Sequence, residues 1–235
     1  MTKRTQEEML AKLMQFNTPS ISNIVATYPN HPLCLKLYDP WNGSWYTDTS
    51  IRSIMPELGR AIGYAVTFTY SLPGPDTLPF IDLIAALYNA PKPVIAVFQH
   101  HYPPGILARA AAFGGQTASL FQVCGVAGVI TDSPIRDLDE IRPTGIPHLA
   151  SGVTPGHGPL HVRTINTPVV VAGMEVKSGE LIHLDEHGAV KFPANQLEAV
   201  CEKIDAFDQE EKAQVEALQR AKNLEEVQEA WNKYK

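Results

Sequence analysis

The sequence predicts an α/β fold: a layered core of strands and short helices, with helices before it and a helical arm after it. Three observations predict it. Between 59 and 131 the apolar runs GRAIGYAVTFTY, PKPVIAVFQ and VAGVIT alternate with shorter segments at helical spacing, the order expected when helices cover a sheet. Residues 1–30 carry apolar side chains at helical spacing. Residues 194–235 do so over a longer stretch. The organisation read from this is N-terminal helices over 1–30, an α/β core over 31–193 and a C-terminal arm over 194–235, packed on its own core or on a neighbouring subunit.

Each element has its local cause. In TQEEMLAKLMQF, Met9, Leu10, Leu13 and Phe16 share a helix face, and Thr5 with Glu8 has capping-box spacing. Asn17-Thr18-Pro19 ends this helix, and a second is expected over Ser20–Thr27. LCLKLY (33–38) alternates as a strand would, and DPWNGSWYTDTS reads as an exposed aromatic hairpin. After the strand at 59–70, SLPGPDTLP breaks the chain and Phe80–Leu87 reads as a short helix. PKPVIAVFQ is the next strand. ILARAAAFGG reads as a helix ended by its glycines. Ser119–Cys124 reads as a short helix, and VAGVIT as the strand that follows. Beyond Asp137, glycine and proline punctuate short strands, and MEVKSGELIHLDEHGAVKFP reads as a hairpin with turns at 178–180 and 186–188. Helices are expected over 195–207 and 209–233. The first has Leu197, Val200, Cys201 and Ile204 on one face, and the second continues the stripe through Val215, Leu218, Ala221 and Leu224.

Composition narrows the function. A chain of 235 residues can bury one large core. Charged residues make up 19%, which leaves more neutral surface than usual, as expected if some lies between subunits. The net charge is −6 and no basic patch stands out, so nucleic acid is not the expected partner. Cys34, Cys124 and Cys201 are far apart and form neither a metal-ligand spacing nor a disulfide framework. Two of them sit in apolar runs and read as core residues rather than reactive ones. MTKRTQEEMLAK lacks an apolar signal core, and no run approaches the length of a membrane span. The expectation is a cytoplasmic protein without a membrane. The spacing of a dinucleotide-binding fingerprint, a P-loop, a zinc-protease HExxH and a GxSxG nucleophile elbow are all missing.

The chemistry concentrates in Gly114–Asp137, GGQTASLFQVCGVAGVITDSPIRD. Gly114 and Gly115 allow a tight turn, and the amides of Gln116 and Thr117 at the start of the next helix are candidate ligands for a carboxylate or phosphate. The alternative is a pair of helix caps that holds nothing. Arg136 offers a planar fork that fits a carboxylate. Asp137, read as pointing away from its neighbour, could ligate Mg²⁺ or Mn²⁺, an ion that takes one or two carboxylates and fills its shell with water and substrate oxygens. The alternative is surface pairing of Arg136 and Asp137 with Asp139 and Glu140. Asp132 ends the same strand and either faces a cleft or caps a turn. His100 and His101 end another strand on opposite faces, so at most one faces the site. His157 and His161 are left unassigned.

These residues bring out a resemblance. GG-QTASLFQVC-GVAGVITDSPIRDLDEI, with GRAIGYAVT at 59–67, GVTP at 152–155 and NTPVVVAGMEVKSGELIHLDEHGAVKFP at 166–193, resembles the RraA-like family of class II 4-hydroxy-4-methyl-2-oxoglutarate / 4-carboxy-4-hydroxy-2-oxoadipate aldolases and regulators of ribonuclease E activity. NTPSISNIVATY resembles the family's N-terminal helix start, with Asn23 where Asp is common. The resemblance spans about 17–215. It implies a swivelling α/β/β sandwich with N-terminal helices and a C-terminal helical arm, assembled as a trimer or a dimer of trimers with sites between subunits. It implies that Arg136 holds a substrate carboxylate, that Gly114, Gly115 and the Gln116 and Thr117 amides help bind it, and that Asp137 ligates Mg²⁺ or Mn²⁺. It also implies that a C-terminal glutamate of the neighbouring subunit contacts the metal's waters, matched here by Glu211, with Glu210 next to it. The activity implied is a metal-dependent lyase, by aldol cleavage or decarboxylation of a 2-oxo or hydroxy acid. Its alternatives are a non-catalytic regulator or binding protein and a sugar-acid isomerase or dehydratase. Two positions depart from the pattern: Gly115 replaces the acidic residue of the turn, and Ser133 replaces the glycine after Asp132.

Overall fold

The computed structural model describes residues 4–232. The chain forms two compact units: one joins the residues up to Pro40 with those from Gln196 onward, and the other is Trp41–Asn195.

In the first unit, α1 (Gln6–Leu13) begins with the expected capping box. Thr5 Oγ1 accepts from Glu8 N–H at 3.2 Å, and Glu8 Oε2 accepts from Thr5 N–H at 2.7 Å. α2 (Thr18–Ser22) starts earlier than expected because Asn17 caps it, with Oδ1 accepting from Ser20 N–H at 2.8 Å. It runs into a π-helical turn over Asn23–Thr27. The strand expected over 33–38 does not form. Lys36 takes a left-handed conformation (φ 54°), and the N–H groups of Leu35 and Leu37 bond to the carbonyls of Ile24 and Val25 in that turn. Tertiary partners satisfy this backbone, so it needs no sheet.

The second unit contains β1 (Arg52–Ser53), β2 (Ala61–Ser71), α3 (Phe80–Asn89), β3 (Val94–His101), α4 (Pro104–Leu107), α5 (Gly115–Val123), β4 (Val126–Thr131), α6 (Leu138–Ile141), β5 (His148–Ala150), β6 (His161–Ile165), β7 (Val169–Val171), β8 (Met174–Val176), β9 (Leu181–Asp185) and β10 (Gly188–Phe192). One mixed sheet has the order β1-β5-β4-β3-β2-β9-β10, with β6 also paired to β2. Strands β2 to β5 run parallel, and helices return the chain between them. Alternation along β3 sorts the core. Val94, Ala96 and Phe98 join Leu83 and Leu87 of α3 and Phe121 of α5. Ile95 and Val97 face the other way, against Val169, Val171 and Met174 of the separate two-stranded sheet β7–β8. The layers are therefore helix, sheet, sheet, the expected α/β/β sandwich. All three cysteines are buried and free.

Four local expectations are corrected here. The aromatic loop over 39–50 is a 3₁₀ turn, Gly43–Trp45, rather than an exposed hairpin, and its Trp45 is buried. The helix expected from Ile106 is only α4, because the alanines beyond it leave the helix so that Ala111 can bridge to His157. Over 174–192 only β9 and β10 form a hairpin, while β8 pairs with β7. In the first unit, α7 (Leu197–Arg220) is one helix of 24 residues, and the break before α8 (Leu224–Asn232) follows Arg220 rather than residue 207. Its buried face is Leu197, Val200, Cys201, Ile204 and Phe207, whereas Val215 and Leu224 are exposed. No described helix is long and apolar enough to cross a membrane.

Gly63 shows how tightly the sheet is built. A Cβ there would stand 2.4 Å from the Pro93 carbonyl oxygen, and the neighbouring Tyr64 N–H bonds to that oxygen at 2.8 Å. Backbone cannot rotate aside as a side-chain tip can. Gly63→Ala is expected to lower stability by about 2–3 kcal/mol, read as a lower urea midpoint at unchanged slope.

Candidate functional site

The glycine turn and the Arg-Asp pair, separated by a helix and a strand in sequence, meet in space. α5 begins at Gly115 with Gly114 as its N-cap in extended conformation. Gly115 N–H donates to Asp137 Oδ2 at 3.1 Å. Arg136 is held by its own backbone, whose N–H bonds to the Phe113 carbonyl at 3.0 Å. One residue earlier, Ile135 bridges in parallel to Val153. Asp137 sits in the left-handed region (φ 60°, ψ 48°) and its carbonyl accepts the first N–H groups of α6, from Glu140 and Ile141. Among non-glycine residues aspartate tolerates this conformation comparatively well, and such positions concentrate at functional sites.

The expectation that Asp137 points away from Arg136 is corrected: Arg136 Nε lies 3.4 Å from Asp137 Oδ2. That oxygen is therefore shared by Gly115 N–H and Arg136 Nε. Among the described residues Asp137 Oδ1 and the two terminal nitrogens of Arg136 carry no partner. Both side chains are about one-third exposed, 32% and 37%. The N–H groups of Gln116 and Thr117 fall in the first turn of α5, where no intrahelical acceptor exists. A free guanidinium fork, a free carboxylate oxygen and two first-turn amides are thus built around one glycine turn. The pairing of Arg136–Asp137 with Asp139 and Glu140 does not occur. Asp139 pairs instead with Arg142, at 3.2 Å.

The turn admits no larger residue. A Cβ on Gly114 would stand 2.5 Å from Asp137 Oδ2, and one on Gly115 would stand 2.6 Å from Glu140 Cβ. The space of an acidic side chain at 115 is filled by the α6 residue that packs over it.

His100 and Asp132 form a second pair, at the adjoining ends of β3 and β4. His100 Nδ1 lies 2.5 Å from Asp132 Oδ1, and His100 N–H donates to the same carboxylate at 3.1 Å. His100 is buried, its Nε2 without a hydrogen-bond partner among the described residues. His101 is exposed on the opposite face. Asp132 opens onto a cleft of about 490 Å³ shared with Arg52 and Ser151. Arg52 gave no sequence signal, because only the antiparallel pairing of β1 with β5 brings it there.

Glu210 and Glu211 belong to the helical unit. Glu211 Oε1 accepts from Asn23 Nδ2 at 3.0 Å, and Glu210 Oε2 lies 3.1 Å from His31 Nε2. Asp185, Glu186 and His187, in the β9–β10 turn, place three ligand atoms within 4.8 Å of one another, close enough to share a divalent ion. In sequence, Glu186 and His187 read only as part of the turn at 186–188, and Asp185 gave no signal. The turn also accounts for two of them, since Asp185 Oδ1 accepts from His187 N–H at 2.9 Å.

Comparison with known proteins adds a family. The model of the RraA-like family, described as Aldolase/RraA, matches residues 35–191. The protein MJ0644 of Methanocaldococcus jannaschii is 29% identical over 118 residues, 50% of this chain and 57% of that protein. A 4-hydroxy-4-methyl-2-oxoglutarate aldolase of Thermus thermophilus is 34% identical over 86 residues, 36% of this chain and 52% of that enzyme. The match thus spans little more than half the length of these curated relatives. Among solved structures, Streptomyces coelicolor RraAS2, described as an unusual member of the RNase ES inhibitor RraA protein family, superposes with a TM-score of 0.63 at 20% identity, over 92% of this chain and 98% of that one. This likeness supports the shared fold.

Proposed function

Because the chain belongs to the RraA-like family, we propose that it binds a small 2-oxo or hydroxy carboxylic acid at the glycine turn and acts on it as a divalent-metal-dependent lyase. The observation that carries this reading is the free Arg136 fork beside the free Oδ1 of Asp137. Arg136 takes the substrate carboxylate in bidentate fashion. The Gln116 and Thr117 amides orient it. Asp137 is the protein ligand for Mg²⁺ or Mn²⁺, and a partly exposed carboxylate with one free oxygen fits an ion that draws most of its shell from water and substrate. Bound there, such an ion supplies Lewis-acid stabilisation of an enolate oxygen, which aldol cleavage and decarboxylation both need. A trimer or dimer of trimers, its mass measurable by light scattering, goes with this reading.

A second reading is favoured by a specific observation. Gly115 supplies no carboxylate, and Glu140 occupies the space one would use. A non-catalytic binding or regulatory protein on the same scaffold needs the acid site and not the proton transfer.

Calorimetry with Mg²⁺ and oxalate tests the site. The parent is expected to bind oxalate with metal present, and Asp137→Ala to weaken this by at least about thirtyfold, the effect of removing one partner from a close charge pair. A variant that titrates like the parent overturns both readings. With binding established, turnover of oxaloacetate or of a panel of 2-oxo-4-hydroxy acids supports the lyase, and binding without turnover supports the second reading.

A further inference from the structure

A separate cavity of about 500 Å³ lies within the helical unit, between the turn after α2 and the C-terminal helices. Its walls include Tyr28, His31, Phe207, Glu210, Glu211 and Trp231, and among the described residues neither lysine nor arginine lines it. Phe207 is buried, whereas Tyr28 and Trp231 are each half-exposed. The Tyr28 and Phe207 rings lie nearly parallel, 6.2 Å apart at 22°, and His31 meets Phe207 edge-on at 5.2 Å. Among the described lysines, Lys212 pairs with Asp208 at 2.6 Å and Lys203 donates to the Pro32 carbonyl at 3.1 Å.

The carboxylates are unequally satisfied. Glu210 has His31 beside it. Glu211 has the neutral Asn23 amide on Oε1, with His31 farther off lending some favourable charge. Burial holds its carboxyl above the usual range, and Asp208 adds to this. The cavity therefore combines ring surfaces with a partly desolvated negative charge that no lysine or arginine of its described lining neutralises. An anion would be repelled. A bare divalent ion would meet ring carbons over much of its coordination sphere, where it needs oxygen. A neutral apolar molecule would leave Glu211 desolvated and unpaired. A cation with an apolar body answers both features, because ring faces attract cations and the carboxylate gains its counter-charge.

We propose that this cavity binds an organic ammonium ion of small-molecule size, with the aromatic walls around its carbon body and Glu211 opposite its charge. The volume is in the range of small-ligand sites. Its ligand is recognised without metal.

The test uses the full chain, without metal, at constant ionic strength. Tetramethylammonium, n-butylammonium and the neutral isostere 3,3-dimethyl-1-butanol are titrated by calorimetry and followed by tryptophan fluorescence. At least one of the two ammonium ions is expected to bind saturably at millimolar concentration or below, and the neutral alcohol at least about fivefold more weakly. Glu211→Gln keeps the shape and the Asn23 bond, and is expected to weaken ammonium binding about tenfold. Tyr28→Ala, at a half-exposed ring, is expected to weaken it about fivefold without altering the circular dichroism spectrum. Equal binding of the neutral alcohol makes this an apolar pocket and overturns the proposal. Absence of saturable binding by both ammonium ions overturns it too, as does binding that neither variant changes.

Discussion

Gly114→Ala is expected to abolish metal-dependent oxalate binding while leaving the sheet folded. Gly114 is not needed for its backbone angles, since its φ of −152° is open to any residue. It is needed for space. The added methyl would stand 2.5 Å from Asp137 Oδ2, 3.2 Å from Arg136 Cγ and 3.3 Å from Arg136 Nε. Both side chains that define the site must move, and the bond from Gly115 N–H to Asp137 breaks with them. Loss of that charge-assisted bond together with local overpacking costs about 2 kcal/mol. Urea unfolding reads the stability, and calorimetry with Mg²⁺ and oxalate reads the site. A variant that binds like the parent would show that the packing of Gly114 on Asp137 does not form the site. The neighbouring position behaves differently. A side chain at Gly115 clashes with Glu140 Cβ at 2.6 Å and only touches Asp137 Cβ at 3.7 Å, so Gly115→Asp displaces α6 before it can offer a carboxylate to the site.

What could be read from the sequence depended on how local its cause was. The capping box of Thr5 and Glu8 was legible because all its partners lie within four residues. β4 was legible to the residue, because VAGVIT is apolar up to Thr131 and bounded by Gly125 and Asp132. The glycine turn and the Arg-Asp pair were legible as residues, and their contact was implied only by resemblance. The contact itself depends on β4 carrying the chain back past the start of α5, and no spacing states that. The misreading of AAAFGG has a specific origin. Alanines favour helix and glycines commonly end one, yet here the alanines leave the helix, Ala111 bridges to His157, and Gly114 caps the start of the next helix. Tertiary pairing overrode propensity. The His100–Asp132 pair has the same character. Its members are 32 residues apart and meet because β3 and β4 are parallel neighbours. Lys36 illustrates the converse error: an alternating run reads as strand, but alternation says nothing about whether a neighbouring strand is available.

Lowering the pH from 7 to 4.5 is expected to remove about 2–3 kcal/mol of stability through one residue, His148. It is fully buried on β5, with its ring 4.7 Å from that of Phe113. Its Nδ1 lies 2.7 Å from the Ile146 carbonyl, and its Nε2 has no hydrogen-bond partner among the described residues. Burial, only partly offset by the Ile146 carbonyl, lowers its pKa from the ordinary 6.5 to about 4. The sign follows from which state takes the proton. Above pH 6.5 the imidazole is neutral in both the folded and the unfolded chain, and its contribution to stability is fully present. As the pH falls below 6.5 the unfolded chain is protonated while the folded protein is not. Stability is therefore lost progressively down to about pH 4, where the folded histidine also titrates. Each pKa unit of difference is worth about 1.4 kcal/mol. Other carboxylates and histidines contribute to the raw profile, so the measurement is a difference. Urea midpoints and slopes are compared at pH 7 and pH 4.5 for the parent and for His148→Gln. The variant lacks the titrating group and is expected to lose about 2 kcal/mol less than the parent over that interval, whatever its stability at pH 7. Equal losses in the two proteins would show that His148 keeps an ordinary pKa in the fold.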